Sequence, residues 1–223
     1  MKRAKVSSAA PADATATISE AGVVAVLRAS TARHLAKVSH EMVDGGIRVI
    51  EVTLTTPDAV AMIKRLRGEF GRDALVGAGT VVTLEEAEAC IDAGADFLVS
   101  PTTSLDVVAT ARIAGVAAYP GALTPTEMLT AQRSGASAVK LFPAATFGPG
   151  YLRQIRGPFP NIPIMPTGGI GLADVETWLR AGAAAVGLGT SLSGRACEDG
   201  VDAGLKDRVR QVLDGVAAAR RDG

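Results

Sequence analysis

Two ionisable residues of this 223-residue chain stand in the middle of apolar runs. Lys140 lies in Ala138-Val139-Lys140-Leu141-Phe142-Pro143, and Glu51 in Val49-Ile50-Glu51-Val52-Thr53-Leu54. Lysine and glutamate are among the residues least often fully buried. Burial disfavours the ammonium form of a lysine, and the neutral amine is the form that attacks a ketone. Side chains alternate along a strand, so Val49, Glu51 and Thr53 share one face. A carboxylate on that face can serve as a general base, as the counter-ion of the lysine, or as each in turn. A structural ion pair between Lys140 and Glu51 explains the same pattern, and both readings put the two side chains in contact.

Other polar residues gather where apolar runs end: Arg28, Thr53, Thr55, Thr80, Ser100, Thr167 and Thr190. Glycines stand beside two of them, in Thr167-Gly168-Gly169 and in Gly187-Leu188-Gly189-Thr190-Ser191. Such turns let backbone N–H groups approach an anion, as in the phosphate sites of parallel barrels. Two ordinary tight turns are the alternative. Gly77-Ala78-Gly79-Thr80 lacks the third glycine of a dinucleotide fingerprint and instead leaves room beside a threonine hydroxyl. His34 and His40, the only histidines, fall on different faces of the first helix after the first strand. No HExxH or carboxylate–histidine cluster accompanies them, so a metal centre is not expected. Cys90 and Cys197 form no CxxC, and Trp178 reads as a helix-packing residue.

The elements that must position these residues alternate. Short apolar runs start at Gly22, Arg48, Leu75, Phe97, Val116, Ala138, Pro163 and Ala184. They are brief and apolar on both faces, as parallel strands buried on two sides are. Between them lie helix starts: Ser30 or Thr31, Thr56-Pro57-Asp58, and the capping signals at Thr83 and Thr124. Gly45-Gly46, Gly94, Gly115, Gly135 and Gly182 fall just before strands, where glycine closes a helix. Eight strand–helix units predict a single (β/α)8 TIM barrel over residues 13–223, after a flexible tail over residues 1–12. Residues 13–21 are expected to form an extra helix covering the barrel floor. An open doubly wound sheet fits less well, because no GxGxxG follows the first strand.

Lys+Arg and Asp+Glu are both 23, so no field favours nucleic acid or an anionic membrane. The basic, then polar, first residues lack the apolar core of a secretory signal. No run approaches the ~18 apolar residues of a membrane span. These features predict a soluble cytoplasmic protein. The segment after Leu192, through Asp199–Asp202, carries no readable chemical signal.

The strand-end segments resemble the family of 2-keto-3-deoxy-6-phosphogluconate / 4-hydroxy-2-oxoglutarate aldolases. The resemblance rests on Gly45–Pro57, Val76–Val81, Ser100-Pro101, Tyr119–Gly121, Val139–Ala144, Gly157–Ile170 and Gly187–Leu192. The trio EVT, KLFPA and PTGGI, in that order, is highly specific. It implies a homotrimeric, metal-independent class I aldolase that needs no cofactor and whose partner is its small-molecule substrate. The reaction implied is reversible cleavage of 2-keto-3-deoxy-6-phosphogluconate to pyruvate and D-glyceraldehyde 3-phosphate, or of 4-hydroxy-2-oxoglutarate to pyruvate and glyoxylate. Lys140 then matches the Schiff-base lysine and Glu51 the acid/base carboxylate. Thr80 matches a threonine that holds the pyruvate carboxylate, and Pro101 and Phe142 match residues around the pyruvyl group. Thr167, Gly168, Gly169, Gly189 and Thr190 match the phosphate site.

One position departs from the pattern. Many members carry a carboxylate-binding Arg where this chain has Thr55, and Thr55 supplies no charge. Arg28, at the end of the first strand, is the candidate replacement, as in related 6-phosphogalactonate-type members. A non-covalent sugar-phosphate epimerase or isomerase, and a phosphometabolite sensor on the same barrel, are the rival readings.

Overall fold

The computed structural model describes residues 11–221. Helix α1 (Pro11–Ala21) precedes strand β1 (Val23–Leu27). The expected tail lies outside the described residues for positions 1–10, while Pro11 and Ala12 already open the helix. The strands that follow are β2 (Val49–Thr53), β3 (Leu75–Gly79), β4 (Phe97–Val99), β5 (Ala117–Tyr119), β6 (Gly121–Ala122), β7 (Val139–Leu141), β8 (Ile164–Pro166) and β9 (Val186–Leu188). Between them run α2 (Leu35–Asp44), α3 (Ala59–Phe70), α4 (Leu84–Asp92), α5 (Leu105–Ala114), α6 (Pro125–Arg133), α7 (Gly148–Arg156) and α8 (Val175–Arg180). After β9 come α9 (Thr190–Ser193), α10 (Ala196–Asp199) and α11 (Leu205–Arg220).

Every pairing is parallel. One sheet has the order β5-β4-β3-β2-β1-β9 and the other β6-β7-β8. Eight strands were expected and nine are found among the described residues, because Pro120 divides the fifth run into β5 and β6; proline has no N–H for the ladder. Across that break, Ser137 N–H still reaches Ala118 O at 2.9 Å and Lys140 N–H reaches Pro120 O at 2.9 Å. At the other edge Thr167 bridges Gly187, and Ala184 N–H donates to Ile164 O at 2.9 Å. The result is a curled parallel α/β sheet resembling a TIM barrel.

The period of two sorts each strand between two cores. Ile50, Val52, Val139 and Leu141 face outward into the large core beneath the helices. Val24, Val49, Phe97, Tyr119, Ala138 and Met165 face inward, with Ala14 and Ile18 of α1 beneath them. The expected floor helix is therefore present and plugs the N-terminal end of the sheet. Alternation then raises Glu51 above Val49, and Lys140 above Ala138, toward the C-terminal end. The C-terminal ends of the strands are where a parallel barrel carries its site.

Local signals held where both partners are close in sequence. Thr83 with Glu86, and Thr124 with Glu127, form complete capping boxes. Gly46, Gly94, Gly115, Gly135 and Gly182 all have positive φ, the conformation that ends a helix at least cost on glycine. Two expected starts moved. Helix α3 begins at Ala59 behind a left-handed Asp58, and the Thr56 hydroxyl accepts from Ala29 N–H at 3.1 Å instead. Ser30 bonds Glu198 instead of capping, and Thr31 makes no side-chain cap bond. His34 falls in a 3-10 turn ahead of α2, whereas His40 lies on α2 and meets the Glu69 carboxylate at 2.8 Å. Trp178 is buried on α8, as a packing residue should be. Among the described residues, no helix is long and apolar enough to cross a membrane.

Gly77 faces the interior, and a Cβ there would lie 2.5 Å from the Phe97 ring. Gly77→Ala is expected to destabilise by about 1–3 kcal/mol, the usual cost of overpacking. Urea unfolding checks this, and an unchanged midpoint would show that the Phe97 ring yields freely.

Candidate active site

A cavity of about 650 Å³ opens at the C-terminal ends of the strands. Glu51 from β2 and Lys140 from β7 line its inner part, with Val26 from β1. Arg28, Thr80 and Pro101, from the loops after β1, β3 and β4, also line it. Phe142, Thr167, Gly168 and Gly169 stand on another side, and Gly187, Gly189 and Thr190 close the ring. Lys140 is 5% exposed, with Nζ 5.0 Å from the centroid of the Phe142 ring. That aromatic face partly replaces water around the amine.

Glu51 is 0% exposed, and neither carboxyl oxygen has a hydrogen-bond partner among the described residues. Burial pushes its carboxyl above the usual carboxylate range, and the charges of Lys140 and then Arg28 oppose that rise. Lys140 and Glu51 thus share one cavity, and the lysine acts on the carboxyl. The direct contact expected from the sequence is not made, since no hydrogen bond ties the carboxylate to the amine. A structural ion pair would close that gap. An unpartnered buried carboxyl is costly and stays free to exchange a proton with a ligand.

The turn after β2's neighbour β3 makes room for this group. A Cβ on Gly79 would lie 2.0 Å from Glu51 Oε1. Next to it, Thr80 adopts φ 62°, a left-handed conformation that is a real outlier for a β-branched residue. Strain of about 1–3 kcal/mol of this kind gathers at ligand sites.

On the far side of the cavity, Gly168 and Gly169 have φ 96° and 75°. A Cβ on either would come within 2.9 Å of the Phe142 ring or 2.7 Å of the Ala145 Cβ. The Thr167 hydroxyl is buried there without a partner among the described residues, in the hollow left by Gly187. At the start of α9 the N–H groups of Thr190 and Ser191 precede those of Leu192 and Ser193, which bond Gly189 O. Backbone segments of two loops, Thr167–Gly169 and Gly189–Thr190, therefore border the same cavity.

Of the site residues expected from sequence, Thr55 alone is left out. It is exposed, off the cavity lining, and its hydroxyl lies 3.1 Å from Thr53 Oγ1. Sequence reasoning missed Val26, Ile170, Gly171 and Ser193, which also line the cavity. Alternation along β1 could have flagged Val26, whereas Ser193 carries no sequence signal. Among the described residues, no three His, Cys, Asp or Glu stand together in a metal-binding group.

The fold and this lining define a class, an α/β protein with an amine and a carboxyl buried together at its strand ends. Comparison with known proteins narrows it. Residues 14–209 match the model of the KDPG and KHG aldolase family. The 2-dehydro-3-deoxy-6-phosphogalactonate aldolase of Escherichia coli K12 is 32% identical over 171 residues, covering 76% of this chain and 83% of the relative. The 2-dehydro-3-deoxy-phosphogluconate aldolase of Pseudoalteromonas atlantica is 34% identical over 195 residues, 87% and 89% of the two chains. A Legionella pneumophila KDPG aldolase with pyruvate captured as a covalent carbinolamine superposes with TM-score 0.74 at 27% identity, covering 92% of this chain and 96% of that one. The chain belongs to the KDPG and KHG aldolase family. Membership in that family makes it a lyase.

Two outcomes follow from the geometry. Gly79→Ala is expected to displace the Glu51 carboxyl and lower turnover by about 10²-fold or more, the scale of a lost general acid/base. Wild-type turnover in that variant would mean that the carboxyl has other places to sit. Because the folded pKa of Glu51 is raised, the folded state keeps a proton that the unfolded chain loses near pH ~4.3. That stabilisation is complete below the unfolded value and is lost as pH rises through the folded one. Glu51→Gln is therefore expected to gain stability relative to wild type as pH rises above the unfolded value, read by thermal unfolding. A pH-independent difference would mean that Glu51 titrates normally.

Proposed function

We propose that the protein is a class I aldolase in which Lys140 forms a Schiff base and Glu51 moves the protons, without a metal ion or other cofactor. The observation that carries the reading is the buried, partnerless Glu51 carboxyl sharing one cavity with Lys140. The covalent carbinolamine in the Legionella pneumophila relative supports it. The substrate is 2-keto-3-deoxy-6-phosphogluconate, and 4-hydroxy-2-oxoglutarate is a second substrate for the same chemistry. The two sheets close as a (β/α)8 barrel, supported by the Thr167–Gly187 bridge and by the run of backbone bonds past Pro120. The working unit is a cytoplasmic homotrimer.

The steps balance as follows. The Lys140 amine adds to the C2 ketone to give a carbinolamine. Glu51 delivers the proton that lets hydroxide leave as water, and an iminium remains. Glu51, again a carboxylate, takes the proton of the C4 hydroxyl as the C3–C4 bond breaks. D-Glyceraldehyde 3-phosphate departs, and the bonding pair stays on C3 as an enamine. Glu51 returns the proton to C3, and water hydrolyses the iminium to pyruvate and free Lys140. The iminium acts as an electron sink and replaces a carbanion of high energy. Pro101 and Phe142 pack around the pyruvyl group, and Thr80 donates its hydroxyl to the substrate carboxylate. Backbone N–H groups near Gly168, Gly169, Gly189 and Thr190, with the Thr167 hydroxyl, hold the phosphate. Binding at that remote end orients the reacting bond.

One observation favours a second substrate reading, the 6-phosphogalactonate epimer. Arg28 lines the cavity whereas Thr55 lies off it, so the carboxylate anchor comes from β1. The test is incubation with pyruvate and borohydride, followed by peptide mass spectrometry and assays on both C4 epimers. A pyruvyl-derived adduct on Lys140, absent with turnover in Lys140→Ala, is expected. A folded protein without adduct would contradict the mechanism and favour a non-covalent epimerase or a sensor. Arg28→Ala is expected to raise KM about tenfold or more, the scale of a lost charge-assisted hydrogen bond. An unchanged KM would remove Arg28 from the carboxylate site.

A further inference from the structure

The loop after β1 holds two opposite features. The Arg28 guanidinium lines the cavity, is exposed, and has no hydrogen-bond or ion-pair partner among the described residues. The backbone on either side of it is pinned. Leu27 O accepts from the Thr53 hydroxyl at 3.2 Å. Ala29 N–H donates to the Thr56 hydroxyl at 3.1 Å. Ser30 donates twice to one carboxylate: its N–H to Glu198 Oε1 at 2.8 Å and its hydroxyl to Glu198 Oε2 at 2.5 Å.

The Ser30 pin comes from α10, in the segment whose sequence carries no chemical signal. Helix α10 is anchored in turn, since Ala196 and Cys197 are buried in the main core. It also follows α9 closely, and Thr190, Ser191 and Ser193 of α9 line the cavity. The segment after β9 therefore touches the cavity and grips the Arg28 loop from outside it. The Glu198 carboxyl lies below the usual carboxylate range, first through the Ser30 hydroxyl and then through the Ser30 N–H. The grip is thus charged at neutral pH, and charge-assisted bonds are the stronger kind.

We infer that Glu198 is a positioning residue: by binding both donors of Ser30 it fixes the β1 loop, and so sets the Arg28 guanidinium for the carboxylate of a 2-keto acid. The inference rests on the reading of Arg28 as the carboxylate anchor. Arginine carries a large rotamer entropy, so an anchor on a mobile loop would lose much of its binding energy to ordering. Pinning the backbone from both sides reduces that loss before substrate arrives. The device also explains how this chain dispenses with a charge at position 55. The anchor moved to the neighbouring strand, and α10 holds it there.

A double-mutant cycle on the full chain tests this, with Arg28→Ala, Glu198→Ala and their combination. The readouts are steady-state KM and kcat, and the pyruvate concentration giving half-maximal borohydride trapping. Glu198→Ala is expected to raise KM and the half-trapping concentration about tenfold, with kcat within about twofold. It is expected to add nothing once Arg28 is gone. Ser30→Ala, which keeps the N–H bond, is expected to shift the same quantities in the same direction by less. Equal effects of Glu198→Ala with and without Arg28, or a fall confined to kcat or to thermal stability, would overturn the inference and leave the anchor reading intact. No KM change in Arg28→Ala itself would instead contradict the anchor reading, and the inference with it.

Discussion

A carboxyl group held in the dark with no partner is the constraint around which this molecule is arranged. Glu51 is fully buried on β2, and both its oxygens lack a hydrogen bond within the described chain. Leaving such a group unmatched costs several times what a normal buried hydrogen bond returns. Three features make it tolerable. The hollow at Gly79 admits the carboxyl, the Lys140 charge opposes its neutralisation, and Arg28 adds a weaker field from the rim. None of the three satisfies the oxygens, so the group remains available to a ligand's proton.

The rest of the interior pays for this layer by being dry. Below Glu51 and Lys140 the strands turn Val49, Ala138, Phe97, Tyr119 and Met165 inward, and α1 seals them with Ala14 and Ile18. The polar residues Glu51, Lys140 and Thr167 gather toward the C-terminal ends of the strands, where the cavity opens. Small residues shape that boundary. Gly77 yields to the Phe97 ring in the apolar layer, while Gly79 and Gly187 yield to Glu51 and Thr167 in the polar one. The same strand positions thus serve packing at one depth and chemistry at the next.

Much of this was readable in the sequence where the determining partner is near in the chain or implied by periodicity. Alternation alone placed Glu51 with Val49 and Thr53, and the capping boxes at Thr83 and Thr124 needed only residues three apart. Glycines before strands announced left-handed helix ends. What failed were features decided at long range. Ser30 looked like a cap, but its hydroxyl finds Glu198 far along the chain. Thr56 looked like a helix start, but it serves the backbone of Ala29. The split of the fifth strand follows from Pro120, whose effect on the ladder depends on where the neighbouring strands fall. The missing contact between Lys140 and Glu51 was not readable at all, because strand spacing across the interior sets it. Of the site residues, Thr55 was placed by analogy of position, and its exposure reflects a hydroxyl already engaged by Thr53.

The most direct measurement is hydrogen exchange at the methyl group of pyruvate in D2O, followed by NMR. It reports enamine formation alone, without an aldehyde partner or a reductant. Exchange is expected with the wild type, none with Lys140→Ala, and exchange slowed by about 10²-fold or more with Glu51→Gln. No exchange with the folded wild type, or an undiminished rate in Glu51→Gln, would contradict the assignment of Lys140 and Glu51 as nucleophile and proton carrier.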